Sequence, residues 1–283
     1  MFAAFALLSA LCYGAADFLG GFTARRASTL AIVALSQLAG LVLLLITIPF
    51  LPSAAPGRPD VVWGAVAGVA GGVGVALLYR ALAIGVMAVV APTTAVCAVV
   101  IPVLVSVTLG ERLAVTTFGG IALAIAAIVL VSQSGEVASG RRADADERRK
   151  KSFALAMLSG VAIGLFFVAL ARTGREAGLW PLVAARSASV ILFVVLAFFS
   201  SQSLRIPAAI LAIVVVAGAL DMLANLLYLL ASRAGPLSVV VTLASLYPAS
   251  TVLLARLVLH ERLSARQWIG VACALVAVTV IVQ

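Results

Sequence analysis

Ten long apolar segments divide this chain of 283 residues, and short breaks that contain charged residues, glycine or proline separate them. Each segment is close to the roughly 20 apolar residues that a helix needs to cross a bilayer. A segment inside a bilayer must pair its own backbone groups, as an α-helix does, and these segments lack the alternation of membrane β-strands. We therefore predict an all-α membrane protein with ten transmembrane helices, over residues 2–22, 29–51, 61–83, 87–109, 114–132, 152–171, 180–200, 207–231, 236–258 and 265–282.

The composition excludes a soluble enzyme of this size. Hydrophobic residues make up 64% of the chain and charged residues 10%, with a mean hydropathy of +1.25. Soluble domains contain about 45–50% apolar and about 25% charged residues. The net charge is +9. Because no basic surface is interleaved with aromatic residues, we expect these charges to meet the headgroups of membrane lipids, and we expect no nucleic-acid partner.

A shift of 150 residues aligns the two halves of the chain without a gap. Matches between apolar residues prove little, but polar residues and glycines also coincide, including Gly14 with Gly164, Thr23 with Thr173, Arg25 with Arg175, Gly85 with Gly235 and Glu111 with Glu261. An internal repeat is therefore predicted. We expect a first five-helix repeat over residues 1–133, a charged linker over 134–151 and a second five-helix repeat over 152–283.

The number of spans in each half determines how the two repeats face. Each half contains five predicted spans, an odd number, so the second half enters the membrane from the opposite side. Inverted repeats of this kind are typical of secondary transporters, whose substrate site lies near the bilayer midplane between the repeats. A duplicated scaffold without transport is the alternative that this pattern leaves open.

Two similar turns follow the fourth segment of each half, LGERL at 109–113 and LHERL at 259–263, and Tyr247-Pro248 precedes the second of them. On these motifs the chain resembles the drug/metabolite transporter superfamily and, within it, the EamA family of ten-helix transporters. The resemblance covers the whole chain. It implies two inverted five-helix repeats and transport of amino acids, related metabolites or drugs. We expect the Glu-Arg pairs themselves to have a structural role at the ends of helices.

The orientation in the membrane has two conflicting indications. The resemblance implies that both termini are cytoplasmic. With that orientation only five basic residues lie in cytoplasmic loops and thirteen on the other side, six of them in the charged linker. Counting of positive charges therefore favours the opposite orientation.

Ionisable groups inside membrane spans are costly and are candidates for function. Asp221 lies well inside the eighth segment, and Asn225, Tyr228 and Ser232 follow it at helical spacing on one face. We expect this polar stripe to face the interior of the bundle. A substrate or proton site and a hydrogen-bonded clamp between helices are both open interpretations.

Arg186 lies about two turns inside the seventh segment and cannot lose its proton. It therefore needs an acidic partner, for which Asp221 and Asp17 are the candidates, or an anionic ligand. Asp17 follows Tyr13 by four residues on the same helix face, so both are further candidate substrate-binding residues. A purely structural ion pair, and a position of Asp17 near the membrane surface, are the alternatives.

Motifs for enzymatic chemistry, cofactors and metals are missing from the sequence. The HERLS segment at 260–264 lacks the second histidine of a zinc HExxH motif, and no GxxxxGK phosphate-binding loop occurs. We therefore expect a transporter that is not an enzyme, binds no cofactor and is driven by a gradient. Its predicted partners are a small polar or amphipathic solute, plasma-membrane lipid and a coupling proton carried by Asp221. The alternatives are a flippase for lipids or lipid-linked molecules and a non-transporting scaffold or sensor.

Overall fold

The computed structural model describes residues 1–50, 54–108, 115–132, 142–201, 203–235, 240, 243–244, 246–261 and 263–282. Within these residues no strand occurs, and the all-helical prediction is confirmed. The helices are α1 (Phe2–Ala24), α2 (Thr29–Thr47), α3 (Arg58–Ile84), α4 (Met87–Thr108), α5 (Val115–Ser132), α6 (Arg142–Leu170), α7 (Trp180–Phe199), α8 (Ala208–Ala234), α9 (Tyr247–Leu259) and α10 (Ala265–Val282). Two 3₁₀ turns lie at Ile48–Phe50 and Arg175–Ala177.

Six of these helices, α1 to α3 and α6 to α8, are long and apolar enough to cross a membrane, and α4, α5, α9 and α10 contain shorter apolar stretches. Many large apolar side chains point outward from the bundle. Leu11 is 54% exposed, Ile191 62% and Phe199 80%. Exposed apolar surface on this scale marks a contact with lipid, and the chain is an integral, multi-pass membrane protein.

The sixth helix begins ten residues before the predicted apolar segment. α6 starts at Arg142, inside the stretch that we predicted to be a charged linker. Residues 146–151 of this extension are all charged and exposed, and Asp146 pairs with Arg149 at 3.6 Å, one turn further along. Hydropathy detects only the part of a helix that meets lipid, so it missed this extension. The division of the chain into three domains stays a prediction.

Contacts between helices give the relative direction of the two halves. α1 and α3 run parallel, because Gly20 lies against Tyr79 and Gly21 against Leu82. α3 and α6 run in opposite directions. On α6, Ser159 bonds to the carbonyl of Gly74, whereas Ser152, which precedes it, bonds to that of Ala81. The first helices of the two repeats, α1 and α6, are therefore antiparallel.

The contacts also occur in exchanged pairs. Ser9 Oγ donates to the backbone oxygen of Ala224 at 2.8 Å, and Ser159 Oγ donates to that of Gly74 at 2.8 Å. Positions 9 and 159, and positions 74 and 224, are related by the shift of 150 residues. The same exchange relates α5 to α10, where Ala124 and Ala127 pack in one cluster with Ala274 and Ala277. A two-fold pseudosymmetry axis therefore relates the repeats.

Candidate functional site

A cavity of about 130 Å³ lies in the interior of the bundle, between α1, α2, α3, α6, α7, α8 and the start of α9. An engineered protein cavity of ~150 Å³ holds benzene, so this space suits a small solute. The lining residues are Tyr13, Asp17, Gln37, Gly68, Gly71, Gly72, Val75, Leu78, Ile163, Phe166, Phe167, Leu182, Ala185, Arg186, Ser189, Asp221, Asn225 and Tyr247.

The cavity lies on the pseudosymmetry axis. Four pairs of lining residues are related by the shift of 150, namely Tyr13 with Ile163, Asp17 with Phe167, Gly71 with Asp221 and Val75 with Asn225. In each pair the polar member comes from α1 or α8, and its partner from α3 or α6 is a glycine or an apolar residue. The repeats have therefore diverged into a polar wall on α1 and α8 and an apolar wall on α3 and α6.

Arg186 is the centre of the polar contacts in the cavity. Its Nη2 forms an ion pair with Asp221 Oδ2, and its Nη1 donates to Gln37 Oε1 at 2.5 Å. The two charged side chains are 13% and 23% exposed. Of the two carboxylates that we predicted as partners of Arg186, Asp221 is therefore the one that pairs with it. The guanidinium joins α2, α7 and α8 at one point.

Asp17 lines the cavity beside this cluster, and it does not lie at the end of α1. Within the described part of the chain, no hydrogen bond or ion pair reaches its carboxylate. Tyr13, one turn earlier, lines the same cavity and stacks edge-to-face on Tyr247, with ring centroids 6.2 Å apart. Tyr13 and Asp17 thus contribute two polar groups from one face of α1.

Only part of the polar stripe that we predicted on α8 lines the cavity. Asp221 and Asn225 line the cavity, and Asn225 Nδ2 donates to the backbone oxygen of Asp221 at 2.7 Å. Tyr228 lies one turn further, among Phe5, Ala231 and other apolar residues, rather than in the lining. The side chain of Ser232 lies outside the description. A role for any of these residues in binding stays a prediction.

Sequence reasoning missed two polar residues and the aromatic residues of the site. Gln37 was detectable as an amide inside an apolar segment, and it is 5% exposed. Ser189 follows Arg186 by three residues, hence on the same helix face, and its buried hydroxyl has no hydrogen-bond partner among the residues that the structure describes. Phe166 and Phe167 gave no signal, because they resemble any other apolar residues of a membrane helix.

Glu261 joins the two repeats at one end of the bundle. Its carboxylate accepts hydrogen bonds from the backbone nitrogens of Met87 at 3.0 Å and Ala88 at 3.1 Å, at the start of α4. It also pairs with Arg25 at 3.4 Å. A carboxylate at a helix N-terminus satisfies free N–H groups and stabilises the helix dipole. Glu261 thus has the structural role that we expected, while Glu111, Arg112 and Arg262 lie outside the described residues.

A second cavity, of about 590 Å³, lies at this same end of the bundle. Its lining combines the exposed basic residues Arg148, Arg149 and Lys150 with apolar residues of α4 and α6, including Val89, Val90 and Phe153. Its lining is therefore partly basic and partly apolar.

The fold and the charged internal cavity define a multi-pass membrane protein of two antiparallel repeats. The model of the EamA-like transporter family matches residues 1–133 and, a second time, residues 150–283. The chain belongs to this family, as its sequence motifs predicted, and is a membrane transporter of the drug/metabolite type. Members of the family are transporters and not enzymes.

The other comparisons add only to the fold. No curated protein gives a significant match to the chain. A solved structure described only as "Crystal structure of protein" superposes with a TM-score of 0.62 at 15% sequence identity, over 98% of this chain and 95% of that chain. At this identity the likeness shows the fold alone.

Proposed function

We propose that the protein is a secondary active transporter that moves a small amphipathic solute by alternating access through the central cavity. In this proposal ten helices cross the membrane, as two inverted sets of five. The observation that carries it is the position of the cavity on the axis between antiparallel repeats, with both members of four repeat-related pairs in its lining. Rocking of one repeat against the other would open such a site to each side in turn.

The composition of the two walls supports an amphipathic solute. The wall on α1 and α8 offers Tyr13, Asp17, Asp221 and Asn225, whereas the wall on α3 and α6 is lined by glycines and apolar residues. A solute with a polar head and an apolar body could place the head against the first wall and the body against the second, so that each part meets a surface of matching polarity. The same reasoning disfavours a solute whose whole surface is charged.

The driving force that we propose is an ion gradient across the plasma membrane, because the sequence has no nucleotide-binding motif. A coupling proton was predicted on Asp221. The Asp221 carboxylate is already engaged in the ion pair with Arg186. Asp17, which has no such partner among the described residues, is therefore the better candidate carrier for a proton.

Tracer flux into proteoliposomes tests the proposal, with a panel of radiolabelled amino acids, amines and other small metabolites. The critical variant is Gly71→Leu, because a side chain at Gly71 would meet the Phe166 ring at 2.8 Å and occupy the cavity. Gly119→Leu is the matched control, since a Cβ at Gly119 would meet no other part of the described chain within 4 Å. We expect flux of at least one solute in the parent and in Gly119→Leu, and its loss in Gly71→Leu. Equal flux in both variants would contradict a route through the cavity.

A lipid flippase is the second candidate, and the basic and apolar lining of the second cavity favours it. Phospholipid headgroups would meet Arg148 and Lys150, while an acyl chain would lie along Val89 and Phe153. A scrambling assay with fluorescent anionic phospholipid distinguishes this function from solute transport. Lipid movement without solute flux would support the flippase, and an absence of both activities would support a scaffold.

A further inference from the structure

The charges of the central cavity do not balance. Among its described lining residues, Asp17 and Asp221 are acidic and Arg186 is basic. The guanidinium of Arg186 is already bonded to Asp221 and to Gln37. The Asp17 carboxylate is left without a hydrogen bond or an ion pair from any described residue. Because an ionised carboxylate is costly in a medium of low dielectric constant, this group binds either a coupling proton or the positive charge of a solute.

The surface opposite Asp17 is aromatic and apolar. Phe167 occupies the position related to Asp17 by the pseudosymmetry, so the two lie on opposite sides of the axis and both line the cavity. The rings of Phe166 and Phe167 contact each other edge-to-face, with their centroids 5.2 Å apart. Ile163, the partner of Tyr13 in the repeat, extends this apolar surface. A carboxylate facing aromatic rings is an environment that attracts an organic cation, since the faces of the rings also attract positive charge.

We propose that the solute is a small amphipathic organic cation. Its charged nitrogen pairs with the Asp17 carboxylate, and its apolar part lies against Phe167 and Ile163. The buried hydroxyl of Ser189, which has no partner in the structure, is a further hydrogen-bonding group of the cavity. The movement of this solute across the membrane rests on the proposed transport function, whereas its binding in the cavity does not. The volume of about 130 Å³ restricts the apolar part to about one aromatic ring.

An anionic solute is the competing class, and the geometry opposes it. A carboxylate ligand could reach Arg186 only by displacing Asp221 or by sharing the guanidinium with it. In either case the site would hold three carboxylates, counting Asp17, around one guanidinium. Like charges within one cavity repel strongly where the dielectric constant is low. A cation, in contrast, brings the lining charges to neutrality without breaking any existing bond.

Three probes of similar shape test the proposal, namely benzylammonium, benzyl alcohol and benzoate, titrated into the purified full-length protein by calorimetry. We expect benzylammonium to bind about tenfold or more tightly than either of the others, as a charge-assisted contact allows. Asp17→Asn should weaken benzylammonium binding by about the same factor and leave binding of benzyl alcohol unchanged. Glu147→Gln removes an exposed carboxylate outside the cavity and is the matched control. Tighter binding of benzoate, or equal binding of benzylammonium by the parent and Asp17→Asn, would overturn the proposal, as would no binding of any probe.

Uptake of radiolabelled benzylammonium into proteoliposomes separates this proposal from the transport function. At a concentration below saturation, the parent and Glu147→Gln should take up the tracer, and Asp17→Asn should take up about tenfold less, with protein-free vesicles as the background. Binding that depends on Asp17 without any uptake above background would support the cation site and contradict transport. Flux of an anionic or neutral solute that is unaffected by Asp17→Asn would support the transport function and contradict the cation site. Circular dichroism and gel filtration of Asp17→Asn establish that the variant is folded.

Discussion

Arg186 of α7 and Asp221 of α8 form an ion pair inside the cavity, although 35 residues separate them along the chain. Gln37 of α2 binds the same guanidinium at 2.5 Å. Three helices therefore meet at one charged group that water scarcely reaches. The pair holds the positive charge of the cavity and leaves the Asp17 carboxyl group without a partner among the described residues.

The stability of the ion pair is accessible to a double-mutant cycle. Asp221→Asn and Arg186→Met should each lower the free energy of unfolding by about 3 kcal/mol, because each leaves one charge buried without its partner. The double variant should lose much less than the sum, since it buries no unpaired charge. Thermal unfolding in detergent measures all four proteins. Strictly additive losses would show that the two side chains do not interact.

The inverted arrangement predicts opposite accessibility for equivalent loops. Ala55 and Arg205 are exposed, are related by the shift of 150 residues and lie in the loops before α3 and α8. Ala55→Cys and Arg205→Cys, each in a background without the three native cysteines, should be labelled from opposite faces by an impermeant maleimide on intact cells. Labelling of both from one face would contradict inversion. The face that labels Arg205→Cys also decides between the orientations that the resemblance and the charges imply.

Because Glu261 caps α4, we expect its removal to lower the stability of the protein and to leave solute binding unaffected. Glu261→Ala leaves the backbone nitrogens of Met87 and Ala88 without their acceptor, and it removes the partner of Arg25. We expect a loss of about 1–2 kcal/mol in the free energy of unfolding. Glu261→Gln, which keeps an acceptor oxygen, should lose less. An unchanged melting temperature in Glu261→Ala, relative to the exposed control Glu147→Ala, would contradict the capping role.

Much of the fold could be predicted because the lipid environment and the internal repeat each produce a pattern that is visible in the sequence. Lipid requires long apolar segments, which identified the helices, and the shift of 150 residues identified the repeat. The same arguments found Arg186 and Asp221, since charges inside an apolar segment need partners. The start of α6 at Arg142 was not predictable in this way, because its added turns are rich in charged residues and give no apolar signal.

The parts of the site that sequence reasoning missed depend on contacts between different helices. Nothing in the order of residues indicates that Gln37 reaches Arg186, or that Glu261 reaches the start of α4 across the repeat boundary. The shift relates Asp17 to Phe167, but only the packing of the helices brings both to one cavity. Tyr228 follows the same regular spacing on α8, but it packs among apolar residues one turn beyond the cavity lining, and its role in binding stays a prediction.

Two equivalent glycines should make equal contributions to the packing of the repeats. A Cβ at Gly68 would overlap the backbone of Ala185, and a Cβ at Gly218 would overlap the backbone of Ser36. Gly68→Ala would therefore separate α3 from α7, and Gly218→Ala would separate α8 from α2. We expect each to lower the free energy of unfolding by about 1–3 kcal/mol, as overpacking does. Each should also reduce solute flux, because α7 and α8 carry the ion pair. Gly119→Ala, at a site without neighbours within 4 Å, is the control. Equal melting temperatures for Gly68→Ala, Gly218→Ala and Gly119→Ala would contradict the close packing of α3 against α7 and of α8 against α2.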